Sequence, residues 1–449
     1  MGAMQDRRRL WFVEQDIMRA SNHPFSHFTC GNLTTLASLD QNSIRDWFNA
    51  EYDPRGMHLI VYSHEPIQLL EQRVQSRFGN IKYSAKWEGP IRAEAWGEIV
   101  PEGVPGSWVF VEPIKDIRKL VIMWEIPARF AARGTRIANV AAAVLSRVGE
   151  GSILSKLKAA GLVAHFSAES ENEAADSAFF YIHVELTARG LADYHRVVEI
   201  IFEGIGTLGR STLPSYTVEQ HNTMALLNYE WQARKTDYRA YAEEVYALRQ
   251  EDLASYPKKS LFWDYAPFDI SNIFLSHLTP NKSIIFIQAK ASETFQVTFD
   301  RSEPIVSTKY TLAPFTTAEY DEFNNAFQTD ATDIKFADQS PYLPDPNVKV
   351  LRPIDPNNFN NSRWEPKPYW LSQDESTAVS DKFLAPDIEF GVPKIQLRQS
   401  FLSPALNFGG NPRKQLVIAM WIGQIHETLQ ELRNAASAGG YRYSRSNLN

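Results

Sequence analysis

The sequence predicts a mixed helix-and-strand fold built on a repeated unit, and three observations point to it. Apolar runs of strand length alternate with amphipathic helical stretches along the 449 residues, which argues against an all-helical solenoid. A helix, proline turn and strand occur together twice, at Ile44–Ser63 and again at Ile270–Gln288. With 44% hydrophobic and 22% charged residues the chain has apolar material for packed cores, which excludes disorder and low-complexity fibre.

Taken in order, Arg7–Ala20 carries Leu10, Val13 and Ile17 at helical spacing and is stopped by Ser21-Asn22-His23-Pro24. Ser43–Tyr52 is a short amphipathic helix with Ile44, Trp47 and Phe48 on one side. The turn Asp53-Pro54-Arg55-Gly56, a buried strand at His58–Ser63 and a helix at Pro66–Phe78 follow. Leu120–Ile126 is a strand closed by Pro127. Ile137–Ala160 is helical but broken at Gly149-Glu150-Gly151. Val163–Ser167 and Phe179–Leu186 read as strands and Leu191–Leu208 as a helix. Val218–Arg249 reads as long helices with Tyr, Trp and Leu turned inward, and Ser283–Gln288 as a buried strand. From Gln339 to Lys382, prolines 341, 344, 346, 353, 356, 366 and 368 forbid helix and central strand. They predict an extended connector at a domain boundary, anchored by Trp364, Tyr369 and Trp370.

A second echo links Leu154–Ser167 with Leu429–Ser444, each reading Leu-x-x-Leu, then Ala-Gly, then an aromatic-Ser pattern. If the helix–proline–strand element closes a unit and the Leu-x-x-Leu element lies in its front half, the chain holds a back half, one whole unit and a front half. Units cut in the middle leave a sheet face or edge uncovered, so two uncovered boundaries are expected.

Charge and motifs remove several functions. Lys and Arg number 46 against 53 Asp and Glu, for a net charge of −7, with no basic block longer than Arg7-Arg8-Arg9, so no nucleic-acid footprint is present. Cys30 is the only cysteine and cannot form an intrachain disulfide. No apolar window is long enough to span a bilayer, Ile137–Leu145 and Val417–Ile425 being too short, so a soluble chain without a membrane partner is expected. The Met1–Arg9 segment is followed by Glu14, Gln15 and Asp16 and shows no export signal; a cytoplasmic or periplasmic location stays open. None of the ten histidines stands in a convincing zinc spacing: His23 and His27 flank a proline loop, His426-Glu427 has no second histidine, and His58, His165 and His183 fall in strand patterns. There is no Gly-x-Ser-x-Gly, and Gly149-Glu-Gly-Ser152 is not a phosphate loop. Glu169, Glu171 and Glu173 cluster between two strands, where a solvated loop is the ordinary reading and a site for a cationic group the sharper one. The sequons at Asn32, Asn281 and Asn360 carry little weight by themselves.

A set of collinear motifs then stands out. His23-Pro-Phe-Ser26, Gly31-Asn32 through Thr35-Leu36, Pro113–Leu120, Gly149-x-Gly-Ser-Ile-Leu-Ser-Lys-Leu157, Val184-x-Leu-Thr-x-x-Gly190 and Ser340-Pro-Tyr-Leu-Pro-Asp345 together resemble the insulysin/pitrilysin, or insulinase-like, zinc metallopeptidases over nearly the whole chain. The resemblance implies an α+β fold of repeated insulinase-type units, each a mostly antiparallel sheet covered by helices, around a chamber. It implies four segments here: 1–108 as the C-terminal half of a first unit, 109–336 as a complete second unit, 337–382 as the connector and 383–449 as the start of a third.

The same resemblance implies what these residues do. The family binds zinc through His-x-x-Glu-His, with a later glutamate as third ligand. That motif is not found in this sequence, and the third ligand aligns at or just before Met1. No catalytic or metal residue is therefore assigned, and zinc belongs to the full-length family rather than to this chain alone. The matching substrate-holding positions are Gly149, Gly151 and Ser152 on the helix turn and Phe166, Ser167, Ala168 and Glu169 on the neighbouring strand, where a peptide's N-terminal end pairs by its main chain. Ala168 and Glu169 replace family glycines. Glu169, Glu171 and Glu173 are candidates to attract the peptide's α-amino group. The expectation is a portion of a zinc metalloendopeptidase that degrades peptides in a chamber, inactive as this chain alone, with peptide substrates and a complementing chain or self-association as partners. A non-catalytic peptide- or partner-binding subunit and a truncated gene product are the alternatives.

Overall fold

The computed structural model describes residues 5–19, 23–28, 30, 31, 33–87, 89, 97–131, 136–171, 177–232, 238–248, 251, 254–264, 266–291, 295–345, 369–372, 382–384 and 411–441. The chain divides into two compact units, one of Met1–His221 with Tyr238–Gln339, the other of Asn222–Asp237 with Ser340–Asn449.

The first unit is organised by one sheet. Its strands are β1 (Ser107–Val111), β2 (Arg118–Pro127), β3 (Val163–Glu171), β4 (Ser177–Leu186), β5 (Ile284–Ala289), β6 (Arg301–Ser302) and β7 (Lys309–Pro314). They lie in the order β3-β4-β2-β5-β1-β7-β6, with β1 and β5 parallel and every other pair antiparallel. The central strands are apolar at almost every position because both faces are covered. Leu120, Ile122 and Trp124 of β2 point into a larger core with Phe180, Ile182 and Ile285. Val121 and Met123, one residue out of phase, enter a smaller core with Phe179, Tyr181 and Phe286.

Helices α1 (Asp6–Met18), α2 (Gln41–Glu51), α3 (Ile67–Phe78), α4 (Ile137–Leu145), α5 (Ile153–Ala159), α6 (Tyr194–Arg210), α7 (Ser215–Glu230), α8 (Tyr238–Leu248) and α9 (Thr317–Gln328) complete the described helical content relevant here. The larger core is closed by α4, α5, α6 and α9, whose apolar faces include Val140, Leu157, Ile201 and Phe323. The smaller core is closed by α1, whose Leu10, Val13 and Ile17 supply the predicted stripe. Each such side chain contributes about 1.5–3 kcal/mol when withdrawn from water. Asp6 pins the start of α1: its carboxylate accepts the Ile114 N–H at 2.6 Å and the Lys115 N–H at 3.1 Å, and its carbonyl accepts from Gln288 Nε2 at 3.0 Å.

Three expectations are corrected. His58–Ser63, predicted as a buried strand, has no ladder partner and exposes Leu59, Val61 and Tyr62. Its counterpart in the repeat is β5, which is enclosed by β1 and β2; no described strand flanks 58–63, so nothing draws its amides into a ladder. The inward aromatic face predicted for 218–249 is not buried either: Val218 in α7 and Ala247 in α8 are buried, whereas Leu226, Tyr229 and Tyr246 are exposed, because the apolar residues of α7 are spread round the helix rather than gathered in a stripe. Glu169 and Glu171, placed in a loop by the sequence reading, belong to β3, which runs longer than its apolar portion because β4 continues to pair with it. Glu173 lies outside the described residues.

The segment 33–87 is held by a polar knot. Asp53 is buried; it caps the turn at Pro54–Gly56, accepts the Arg55 and Ser84 N–H groups at 2.9 and 2.6 Å, and receives Arg55 Nε at 2.7 Å. The Arg55 guanidinium, hydrogen-bonded to it, holds the Asp53 carboxyl well below the usual carboxylate range. Arg55 itself lies over the Trp87 ring at 4.5 Å. Around this knot the apolar faces are open: α2 and α3 bury no residue, and Ile44, Trp47, Phe48 and Ile67 are exposed.

In the second unit, β8 (Tyr369–Ser372) pairs antiparallel with β9 (Lys382–Leu384), and helices α10 (Pro412–Thr428) and α11 (Gln430–Ala438) follow. Asn411 caps α10, its side chain accepting the Arg413 N–H at 3.0 Å. Leu416, Val417, Met420 and Trp421 of α10 are exposed. Of the proposed connector anchors, Tyr369 and Trp370 belong to β8 and Trp364 lies outside the described residues. No helix among the described residues is long and apolar enough to cross a membrane.

Candidate functional site

The predicted site residues fall on two adjoining elements at one end of the sheet. The first is the break between α4 and α5. Gly149 and Gly151 have φ of 118° and 76°, values that side chains rarely tolerate, and a Cβ on Gly151 would stand 2.8 Å from Lys335 Cγ. The Gly151 carbonyl accepts the Lys335 N–H at 3.0 Å, and Arg147 donates to the Lys335 and Glu150 carbonyls. Ser152 is buried and caps α5, its Oγ accepting the Ser155 N–H at 3.0 Å. Gly151 and Ser152 are therefore engaged in shaping the turn, and the Ser152 hydroxyl is not offered outward.

The second element is β3. It is the terminal strand of the described sheet, so one of its edges faces no other described strand. Phe166 is buried in the larger core and anchors it; Ser167 stands opposite His183 and Glu169 opposite Tyr181. The two elements meet at Ser146, which ends α4: its Oγ accepts the Ala168 N–H at 2.7 Å and donates to the Ala168 carbonyl at 3.1 Å. These bonds identify the outward-facing residue. In an antiparallel ladder outward and inward main-chain groups alternate, so Phe166, Ala168 and Ser170 address the open edge while Ser167 and Glu169 address β4.

Glu169 is not a free anion. Its Oε1 lies 2.7 Å from His183 Nε2, across the ladder from it. His183 has its pKa lowered, chiefly by burial and then by the Lys119 ammonium, with Glu169 opposing both; its Nδ1 is buried and has no hydrogen-bond partner. Burial likewise lowers the Lys119 pKa, with Arg7 adding to the effect and Glu14, Glu169 and Glu185 opposing it. The expected acidic trio is thus divided: Glu169 is paired, Glu171 is exposed at the end of β3 and Glu173 lies outside the described residues.

His23 is buried and its Nδ1 accepts the Phe25 N–H at 3.1 Å at the Pro24–Ser26 turn, while His27 is exposed. Among the described residues no three His, Cys, Asp or Glu side chains converge as a metal site would require. Sequence reasoning missed Ser146 and His183 as members of the site. Strand alternation signals His183 once the β3–β4 pairing is known; nothing local marks Ser146, whose partner lies 22 residues away.

Two domain models match the chain: the peptidase M16 inactive domain over residues 38–223, and the middle or third domain of peptidase M16 over residues 230–449. Putative zinc protease mug138 of Schizosaccharomyces pombe is 23% identical over 98% of this chain and 44% of its own length. Insulin-degrading enzyme-like 2 of Arabidopsis thaliana is 22% identical over 99% of this chain, again 44% of its own. The chain thus spans less than half the length of these relatives. In structure it is similar to crystalline pitrilysin, with a TM-score of 0.73 over 98% of this chain and 45% of that one at 18% identity, a likeness of fold.

Proposed function

Starting from the membership of this chain in the peptidase M16 family, the insulinase-like peptidases, we propose that it forms a substrate-holding portion of a zinc metalloendopeptidase that degrades peptides in an enclosed chamber. The observation that carries this reading is the open edge of β3 beside the Gly149–Ser152 turn. An extended peptide adds there as one more strand. Main-chain pairing supplies affinity without reading side chains, so the site suits peptides of varied sequence. The role of this chain's residues is to bind and orient: Phe166 keeps the strand fixed from below, Ser167 and Glu169 tie it to β4, and Phe166, Ala168 and Ser170 present outward groups. Exposed Glu171 is the described carboxylate best placed to draw a peptide α-amino group; peptide affinity unchanged after neutralising Glu169, Glu171 and Glu173 would remove that part of the reading.

Substituting Ser170→Pro tests the docking itself, because it deletes an outward N–H while leaving the β4 ladder intact. Peptide affinity should fall at least several-fold while the thermal transition stays in place; retained affinity would reject edge docking. On partners, we propose that the open face of residues 33–87 is covered by sheet and helices of the same fold, on a complementing chain or segment. The support is internal: the repeated element at 270–288 has its strand β5 flanked by β1 and β2, whereas the copy at 44–63 carries a similar apolar run at 58–63 that pairs with no described strand and exposes Leu59, Val61 and Tyr62. Sedimentation of the chain over a range of concentrations checks this, since Trp47→Lys with Tyr62→Lys should suppress association through that face.

A further inference from the structure

We propose that Ser146 gates the open edge of β3, by occupying in the peptide-free chain the two main-chain bonds that a docking strand would make with Ala168. The inference rests on the edge-docking reading above. In an antiparallel ladder, a residue facing its partner exchanges both an N–H and a C=O bond with one opposing residue. Ser146 Oγ reproduces that pair with a single hydroxyl, accepting at 2.7 Å and donating at 3.1 Å. Exposed strand edges are liabilities that proteins blunt, and here the blunting group sits at the middle of the outward-facing series Phe166, Ala168 and Ser170.

The gate is the end of α4, latched to β3 by the Ser146 hydroxyl. Ser146 is held at the end of α4 by its own N–H, which donates to the Ala142 carbonyl at 2.9 Å, and α4 is anchored in the larger core through Ile137, Val140 and Leu145. To free Ala168 the hydroxyl must leave both bonds and the end of α4 must draw back, because Ser146 Cβ, one bond behind Oγ, stands within about 4 Å of the Ala168 amide, where a docking strand would lie. A peptide must therefore displace two hydrogen bonds to pair through the centre of the edge. Segments that pair continuously recover them, and segments that reach only Phe166 or Ser170 do not. Ser146 acts as a positioning residue that raises the threshold for strand addition.

The test uses the 449-residue chain and a C-terminally fluorescein-labelled ten-residue peptide of alternating threonine and valine with a free N-terminus. Ser146→Ala should bind it about tenfold tighter, the size expected for removing a competitor of two net hydrogen bonds, and Ser146→Thr, which keeps the hydroxyl, should bind like the parent. Hydrogen exchange gives an independent readout: without peptide, the Ala168 amide should exchange much faster in Ser146→Ala than in the parent, and peptide should restore its protection. Equal affinities for the parent and Ser146→Ala would overturn the gate and leave edge docking standing. Tighter binding shared by Ser146→Thr would assign the effect to side-chain shape and also overturn it. No binding by parent or variant would overturn edge docking, and the gate with it.

Discussion

Gly206, in the last turn or so of α6, makes the sharpest test of how the helices are seated on the sheet. Helix propensity alone predicts that Gly206→Ala stabilises the chain, by about 1 kcal/mol. The packing predicts the reverse. A Cβ at this position would stand 1.9 Å from the Phe327 carbonyl oxygen of α9, about 1.5 Å or more inside ordinary van der Waals contact. That oxygen is backbone and cannot turn aside. It also accepts from Arg210 Nη1 at 2.9 Å, while Arg210 Nη2 reaches the Thr329 carbonyl at 2.9 Å and Nε reaches Asp330 at 2.6 Å. Pushing α9 away therefore adds overpacking strain of about 1–3 kcal/mol to the weakening of a charged hydrogen bond of about 1.5–3 kcal/mol. After the propensity gain the net loss is about 1.5–5 kcal/mol. Urea unfolding followed by tryptophan fluorescence reads it, Trp108 and Trp124 both lying in the affected core. Gly423→Ala in α10 is the control: no atom of a described residue lies within 4 Å of its Cβ, so it should stabilise its own helix. A Gly206→Ala chain as stable as the parent would refute the close approach of α6 and α9.

The remaining predictions concern charges and edges. Asp6→Ala leaves the Ile114 and Lys115 N–H groups without their acceptor and should cost about 1–3 kcal/mol, with faster amide exchange at both positions as the local readout. His183 should titrate below 6.5 by NMR, and lower still in Glu169→Gln, since Glu169 is the group that raises it. Because the folded pKa is depressed, stability from this histidine is present above its unfolded pKa and declines as the pH falls below it; a midpoint above 6.5 would contradict the buried setting. Glu322 on α9 shares a hydrogen bond with Glu199 on α6, which pushes its pKa up to about 7. The sign is opposite here: the stabilising shared proton is fully present below about 4.5 and is lost as the pH rises through about 7, so Glu322→Gln should flatten stability across that window in a series of thermal melts.

Much of this architecture was legible because its signals are local. The continuous apolar runs of β2, β4 and β5 announce strands covered on two faces, Leu10, Val13 and Ile17 announce the stripe of α1, and Gly149 with Gly151 mark the break between α4 and α5. The small strands β6 and β7 escaped notice since two and six residues of mixed polarity carry little periodicity. Helix α9 carries a legible start signal, the reciprocal capping box of Thr316 and Glu319, but only Phe323 and Phe327 of it are buried, so its apolar periodicity is faint. His58–Ser63 failed in the other direction, its composition being that of a strand while a strand is a relation between segments. The site divides along the same line. Its glycines and the phenylalanine anchor follow from chain-local rules, whereas the Ser146–Ala168 and Glu169–His183 bonds exist only once distant segments have met.

The position of β5 bears on the order in which this sheet can be assembled. β5 is threaded between β1 and β2, yet β1 ends at Val111 and β2 begins at Arg118, whereas β5 does not begin until Ile284. During synthesis the ribosome releases β1 and β2 close together in sequence, with a slot between them that must stay empty while β3, β4 and three long helices emerge. The antiparallel pair β3–β4 can form early and β4 can then dock on β2, but β1 has no sequence-local partner and must wait for β5 and β7. Closure of the slot is a late, long-range event with a high entropic threshold. Until it happens, the inner edges of β1 and β2 are open to pairing with each other or with another nascent chain, so this protein's yield on expression should be governed by how soon Ile284–Ala289 arrives.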